Sequence, residues 1–316
     1  MGLRVVFMGT PNFGAICLRA LNASAHMPTL VISQPDRPAG RKRQISPTPV
    51  HAVAIELKLP IIQPRAVRTK RFADRIMAEK PDVILTAAYG RILTKQVLSI
   101  PRIAPLNVHG SLLPRWRGAA PVQYAILSGD RVTGVSIFRM EEELDSGDIY
   151  YQQSLNIGET ETAGALMERL SILASKTLVK SLDLLEMGKL TPKSQKPGEA
   201  TFAPPLKKSD GIIDWNQKAS HIERFIRAMQ PWPGASTFLG DKTLIIRESK
   251  IGQNRPKGMP GRILMADPKA GLEVMTGDRS LTLIRVVKPG KGEVTGAEFV
   301  RGSRIAEGDF LSQEAG

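Results

Sequence analysis

Short apolar runs alternate with amphipathic stretches through the first two thirds of the chain. Runs at 3–8, 29–33, 60–62 and 82–88 have the length of buried strands, and helix-period patterns at 15–22, 50–58 and 70–79 separate them. Such alternation predicts an α/β fold, a mostly parallel sheet with helices on both faces of Rossmann-like type. A further strand ends at Asn107-Val108-His109, a helix follows over 120–127, and strands are expected at 132–140 and 148–155. The longest helical pattern covers 162–187, with Leu166, Leu170, Leu173, Leu178, Leu182 and Leu185 on one broad stripe. That stripe reads as core.

Gly188 ends this helix, and 189–206, with Pro192, Pro197, Pro204 and Pro205, reads as a linker. Beyond it the pattern changes to one helix, 218–229, and short strands at 243–248, 262–265, 272–275 and 281–287 between Gly, Pro and Asp. This predicts a small carboxyl-terminal OB-like β-barrel, an architecture that often binds nucleic acid. The expected organisation is therefore 1–188 as catalytic domain, 189–206 as linker and 207–316 as barrel. Trp215 and Trp232 read as packing residues, although either could stack on a base.

Composition adds little to the fold and something to the partners. At 42% hydrophobic and 23% charged the chain is ordinary for a globular protein. No apolar run approaches the ~18 residues needed to span a bilayer. The opening residues lack a signal-peptide pattern, so a cytoplasmic location is expected. Cys17 is the single cysteine, which excludes internal disulfides and reads as a packed thiol. His26, His51, His109 and His221 show no helical zinc spacing, so no metal is expected.

The net charge of +14 favours a polyanionic partner. Residues 34–71 hold nine Lys and Arg against two Asp and Glu. Within them 34–49 contains four prolines and a glycine, so it is neither helix nor central strand, and it is long for a plain connection. Arg37, Arg41, Lys42 and Arg43 lie there and could grip phosphates; a solvated basic tip is the alternative. The turn Gly9 to Gly14 lacks both the Lys-Ser/Thr of a phosphate loop and Gly-x-Gly-x-x-Gly, which argues against nucleotide hydrolysis and dinucleotide binding.

The candidate chemistry sits at the end of the strand carrying Asn107 and His109. Two residues apart on a strand, they project from one face about 7 Å apart. An amide donor beside an imidazole suits acyl transfer, where a carbonyl becomes an oxyanion and an attacking amine loses a proton. Asp145, in the tight connection between 132–140 and 148–155, could hold His109 in one tautomer. Taken alone, these are also a capped strand end and an ordinary Asp-Ser-Gly turn.

The run Asn107-Val108-His109-Gly110-Ser111-Leu112-Leu113-Pro114-Arg115-Trp116-Arg117-Gly118-Ala119-Ala120-Pro121 resembles the signature of the folate-dependent formyltransferases. Leu144-Asp145-Ser146-Gly147-Asp148 resembles their second motif, and the likeness runs from Met8-Gly9-Thr10-Pro11 to Phe299-Val300-Arg301-Gly302. The resemblance implies transfer of a formyl group from 10-formyltetrahydrofolate, a co-substrate, to the α-amino group of methionyl initiator tRNA. It implies that Asn107, His109 and Asp145 are catalytic. Tyr89, Gly90 and Ile92 would line the pterin pocket, and Ser111, Leu112, Leu113 and Pro114 would bind the folate. The basic insertion with Arg37, Arg41, Lys42 and Arg43 would contact the tRNA acceptor stem, although Lys42-Arg43-Gln44 departs from the usual Gly-Lys-Lys. A monomer without metal is expected. Two alternatives remain: a sibling acting on an amino-sugar nucleotide or glycinamide ribotide, and a tRNA-binding protein with an inactive site.

Overall fold

The computed structural model describes residues 2–39, 44–252 and 258–315. The chain opens with β1 (Val5–Gly9), α1 (Asn12–Asn22), β2 (Pro28–Ile32), β3 (Arg37–Ala39), β4 (Gln44–Ser46), α2 (Pro49–Glu56), β5 (Ile61–Ile62), α3 (Lys70–Met77) and β6 (Val83–Ala87). It continues through α4 (Lys95–Leu98), β7 (Ala104–His109), β8 (Arg117–Gly118), α5 (Pro121–Ser128), β9 (Val132–Arg139), β10 (Ile149–Asn156), α6 (Ala163–Glu186) and β11 (Phe202–Ala203). Packing divides the chain into two units. The first comprises 1–121, 132–156 and 167–203, and the second 122–131, 157–166 and 204–316.

In the first unit seven strands form a sheet in the order β10-β9-β7-β6-β1-β2-β5. The five from β7 to β5 are parallel, whereas β9 runs antiparallel to β7 and β10 antiparallel to β9. Every residue of β1 and of β6 is buried, which is why both read as continuous rather than alternating apolar runs. β7 lies where the sheet changes from parallel to antiparallel pairing. Its Asn107 pairs with Thr86 of β6 and with Phe138 of β9, and its His109 pairs with Ser136. Paired residues face the same way, so Thr86, Asn107 and Phe138 share a face with His109.

In α6 the buried line is Leu166, Leu170, Ala174, Leu178 and Leu182, four residues apart each time, while Leu173 and Leu185 are half-buried. Within 34–49, the described residues 37–39 and 44–46 pair as a small antiparallel ribbon, in which Arg37 pairs with Ser46 and Pro38 with Ile45. Part of the stretch read as linker is bound to the first unit. Lys193 exchanges two backbone hydrogen bonds with Ile149, at 2.8 and 2.9 Å, and β11 pairs in parallel with β8. Between these two attachments Pro197 opens a short 3-10 turn over Pro197–Glu199.

The second unit contains α7 (Ala219–Ala228), β12 (Ala235–Leu239), β13 (Lys242–Ile251), β14 (Ile263–Asp267), β15 (Gly271–Met275), β16 (Ser280–Val287), β17 (Glu293–Thr295), α8 (Gly296–Arg301) and β18 (Leu311–Ser312). Its sheet runs β14-β15-β16-β13-β12-β18 and all pairings are antiparallel, with β17 added on β16. The two ends meet. Arg262 bridges Phe310, the Leu311 N–H donates to the Gly261 carbonyl and the Ile263 N–H to the Asp309 carbonyl, which closes the barrel. Trp215 is buried and donates to the Thr237 hydroxyl at 3.0 Å, a packing role, whereas Trp232 is exposed.

Candidate active site

The site grows from the end of β7. The Thr86 hydroxyl donates to Asn107 Oδ1 at 2.5 Å, which turns Asn107 so that its Nδ2 group is left as the donor. His109 is buried, with its ring edge-on to Phe138 at 6.2 Å between centroids. Nε2 lies 2.8 Å from the Trp116 carbonyl, and because a carbonyl only accepts, Nε2 carries the proton there. Nδ1 faces Asp145 Oδ2 at 3.7 Å. The Trp116 carbonyl orients Nε2 by a hydrogen bond, and the Asp145 carboxylate lies close to Nδ1 without one.

Asp145 is itself anchored. Its Oδ2 accepts the Gly118 N–H at 2.8 Å, and its backbone adopts φ +50. Trp116, which offers the carbonyl to His109, stands at φ +63. Left-handed conformations are uncommon for such residues and persist where the surroundings impose them. The surroundings are visible. The Trp116 N–H donates to Thr201 Oγ1, the Arg117 N–H to the Thr201 carbonyl, and the Ala119 N–H to the Ala203 carbonyl. A Cβ added to Gly118, at φ +121, would lie 2.5 Å from the Ala203 carbonyl oxygen.

The segment after His109 is equally tied down. The Ser111 hydroxyl donates to the Arg115 carbonyl at 2.6 Å, closing a turn around Leu112, Leu113 and Pro114. The Ser136 hydroxyl donates to the Ser111 carbonyl and accepts from the Leu113 N–H, and Gln152 Nε2 reaches both Ser136 Oγ and the Leu113 carbonyl. Leu113 is buried, and Leu112 and Pro114 are half-buried.

Tyr89, Gly90 and Ile92 follow β6. Tyr89 is buried, and its hydroxyl has no hydrogen-bond partner among the described residues. Burial pushes its pKa up to about 12, against an opposing pull from Arg91. Gly90 and Ile92 are exposed. The Tyr89 carbonyl accepts from the Thr10 hydroxyl and from Gln34 Nε2, whose own Oε1 accepts from Arg37. Gln34 thus joins the ribbon that carries Arg37 to the loop after β6. Asp36, one residue before β3, accepts from Gln63, His51 and the Thr48 N–H. Burial opposes its charge, but these bonds outweigh that and hold its carboxyl below the usual range.

The structure therefore gathers His109 and Asp145, places Asn107 on the same face of β7, and sets Ser111 to Pro114 directly after them. Arg41, Lys42 and Arg43 lie outside the described residues. Sequence reading missed Thr86, the Gly118 N–H, the Trp116 carbonyl and Gln195. Backbone groups carry no residue-type signal, and Thr86 is recognisable only once the register of β6 on β7 is known.

Residues 3–182 match the family described as formyl transferase, and 205–304 match its carboxyl-terminal domain. The chain is 40% identical over 304 residues to the methionyl-tRNA formyltransferase of Methylococcus capsulatus, covering 96% of this chain and 98% of that one. It is 38% identical over 309 residues to that of Bacillus subtilis, covering 98% and 97%. HypX from Aquifex aeolicus, solved in complex with tetrahydrofolic acid, shares the fold at a TM-score of 0.61 and 18% identity, over 99% of this chain and 51% of that one. The N-formyltransferase from Helicobacter canadensis does so at 0.64 and 14%, over 89% and 98%. Fold and family descriptions define a group-transfer enzyme built from an α/β unit and a barrel. The chain belongs to the formyl transferase family.

Proposed function

We propose that the protein transfers the formyl group of 10-formyltetrahydrofolate to the α-amino group of methionyl initiator tRNA, supplying formylmethionyl-tRNA for translation initiation. The end-to-end match to curated methionyl-tRNA formyltransferases, through both units, is the observation that carries this reading. The residues present suit a folate. Tyr89 offers a buried hydroxyl without a partner among the described residues, and Leu112, half-buried in the loop after β7, offers apolar surface. The folate supplies the formyl carbon.

Asn107 Nδ2 donates to the oxygen on which negative charge develops, a role in which a fixed amide needs no reorganisation. His109 takes up the proton that the attacking amine loses and gives it to the folate nitrogen as that nitrogen's bond to the formyl carbon breaks, with Asp145 beside Nδ1 throughout. When substrate replaces the Trp116 carbonyl, the neutral imidazole carries its proton on Nδ1, toward Asp145, and Nε2 is free to take up the amine proton. Tyr89, Gly90, Ile92 and Ser111 to Pro114 hold the folate, while Arg37, Arg41, Lys42 and Arg43 hold the acceptor stem. Residues 1–188 carry the chemistry, 189–206 link, and 207–316 form a tRNA-binding barrel, in a cytoplasmic monomer.

The test is formyl transfer from labelled 10-formyltetrahydrofolate to methionyl initiator tRNA, run beside an amino-sugar nucleotide and glycinamide ribotide. Product on the tRNA alone is expected. Product on a small amine alone would replace this reading with the sibling activity.

A further inference from the structure

From 191 to 199 every residue but Gln195 is exposed. Gln195 uses its whole hydrogen-bonding capacity on the two loops that frame His109. Nε2 donates to the Asp145 carbonyl and to the Gly147 carbonyl, both at 2.8 Å. Oε1 accepts from Arg117 Nε at 3.1 Å and from Arg117 Nη2 at 2.9 Å. A side-chain amide has two donors and one oxygen with two lone pairs, so all four places are filled.

These partners bear directly on the Asp145 carboxylate. That carboxylate is fixed at one end by its own backbone, at φ +50, and at the other by the Gly118 N–H. Gln195 holds the first through the Asp145 carbonyl and the second through Arg117, the residue before Gly118. We propose that Gln195 is a positioning residue: it sets the separation of the two loops so that Asp145 faces His109 Nδ1, and it acts on the reaction through Asp145. A plain tether would need one bond to one loop. A single amide joining both loops fixes their spacing, because any relative shift strains bonds on both sides of it.

The inference rests on the proposed formyl transfer for its kinetic test, so a second readout is independent of turnover. Gln195→Met keeps length and apolar bulk and removes all four bonds; Gln195→Glu keeps an acceptor for Arg117 and removes both donors. In each variant kcat should fall about 10- to 100-fold, the scale of a misplacement of about 1 Å, with KM for folate and for tRNA within about twofold. Asp145→Asn combined with Gln195→Met should be no slower than Asp145→Asn alone, because one residue works through the other. Amide hydrogen exchange at Gly118 should accelerate in Gln195→Met. Wild-type turnover in either variant, or multiplied losses in the double variant, would overturn the inference. A wild type inactive on methionyl-tRNA would sink the substrate reading alone; exchange at Gly118 would still decide, acceleration supporting the positioning role and an unchanged rate refuting it.

Discussion

The hydroxyl of Thr86 points at Oδ1 of Asn107 from the neighbouring strand, 2.5 Å away. The register that pairs Thr86 with Asn107 brings the two side chains together, since partners on adjacent strands face the same side. An amide can be turned over by half a rotation, which would exchange donor for acceptor. Thr86→Val keeps the shape and removes the hydroxyl. A hydrogen bond contributes about 0.5–1.5 kcal/mol, so kcat should fall about two- to tenfold while folate binding holds. An unchanged kcat would mean that the amide is oriented by something else.

Asn107 itself should matter far more. Loss of one oxyanion donor lowers turnover about 100- to 1000-fold, and Asn107→Ala is expected in that range with little change in folate affinity. Single-turnover measurements with saturating folate separate the two effects. Near-normal chemistry in this variant would remove Asn107 from the mechanism.

His109 and Asp145 face each other at 3.7 Å and should behave as one unit. His109→Ala, Asp145→Asn and the double variant are expected to lose similar amounts of activity. Multiplicative losses would show that each acts independently.

The ribbon bearing Arg37 leads into Arg41, Lys42 and Arg43. Replacing those three with Ala should weaken tRNA binding and flatten its dependence on salt, by roughly 0.7–0.9 in log–log slope for each phosphate no longer neutralised. Folate affinity should be unaffected. An unchanged slope would transfer the principal tRNA-binding role to the barrel.

Asp36 gives the ribbon's anchor a pH signature. Its carboxyl is held below the usual range, so it contributes stability above the unfolded carboxylate pKa, and that contribution disappears as pH falls through the lower folded value. The thermal stabilities of wild type and Asp36→Asn should therefore differ at neutral pH and converge in acid. A gap that persists in acid would assign the difference to packing.

Much of this fold was readable from periodicity. Continuous apolar runs announced β1 and β6 because both faces of a parallel sheet are covered. The strands β12, β17 and β18 were not readable, being short or rich in polar residues, and they are defined by their partners rather than by pattern. For the site, Asn107, His109 and Asp145 stood out as residue types in suggestive places. Gln195 did not, for it lies among prolines and lysines, and only the folding back of 193–203 onto the first unit reveals its partners. Prolines signal an extended chain; they do not say what it touches.

The barrel closes through 309–312, which are synthesised after all its other strands. Until they arrive, β12 and β14 each present an unpaired edge, the kind of surface that invites pairing with another chain. A nascent second unit therefore has to wait with its flanks open. A truncation before residue 309 would make that transient hazard permanent, and such a product should be prone to aggregate even though no residue of the first unit had been altered.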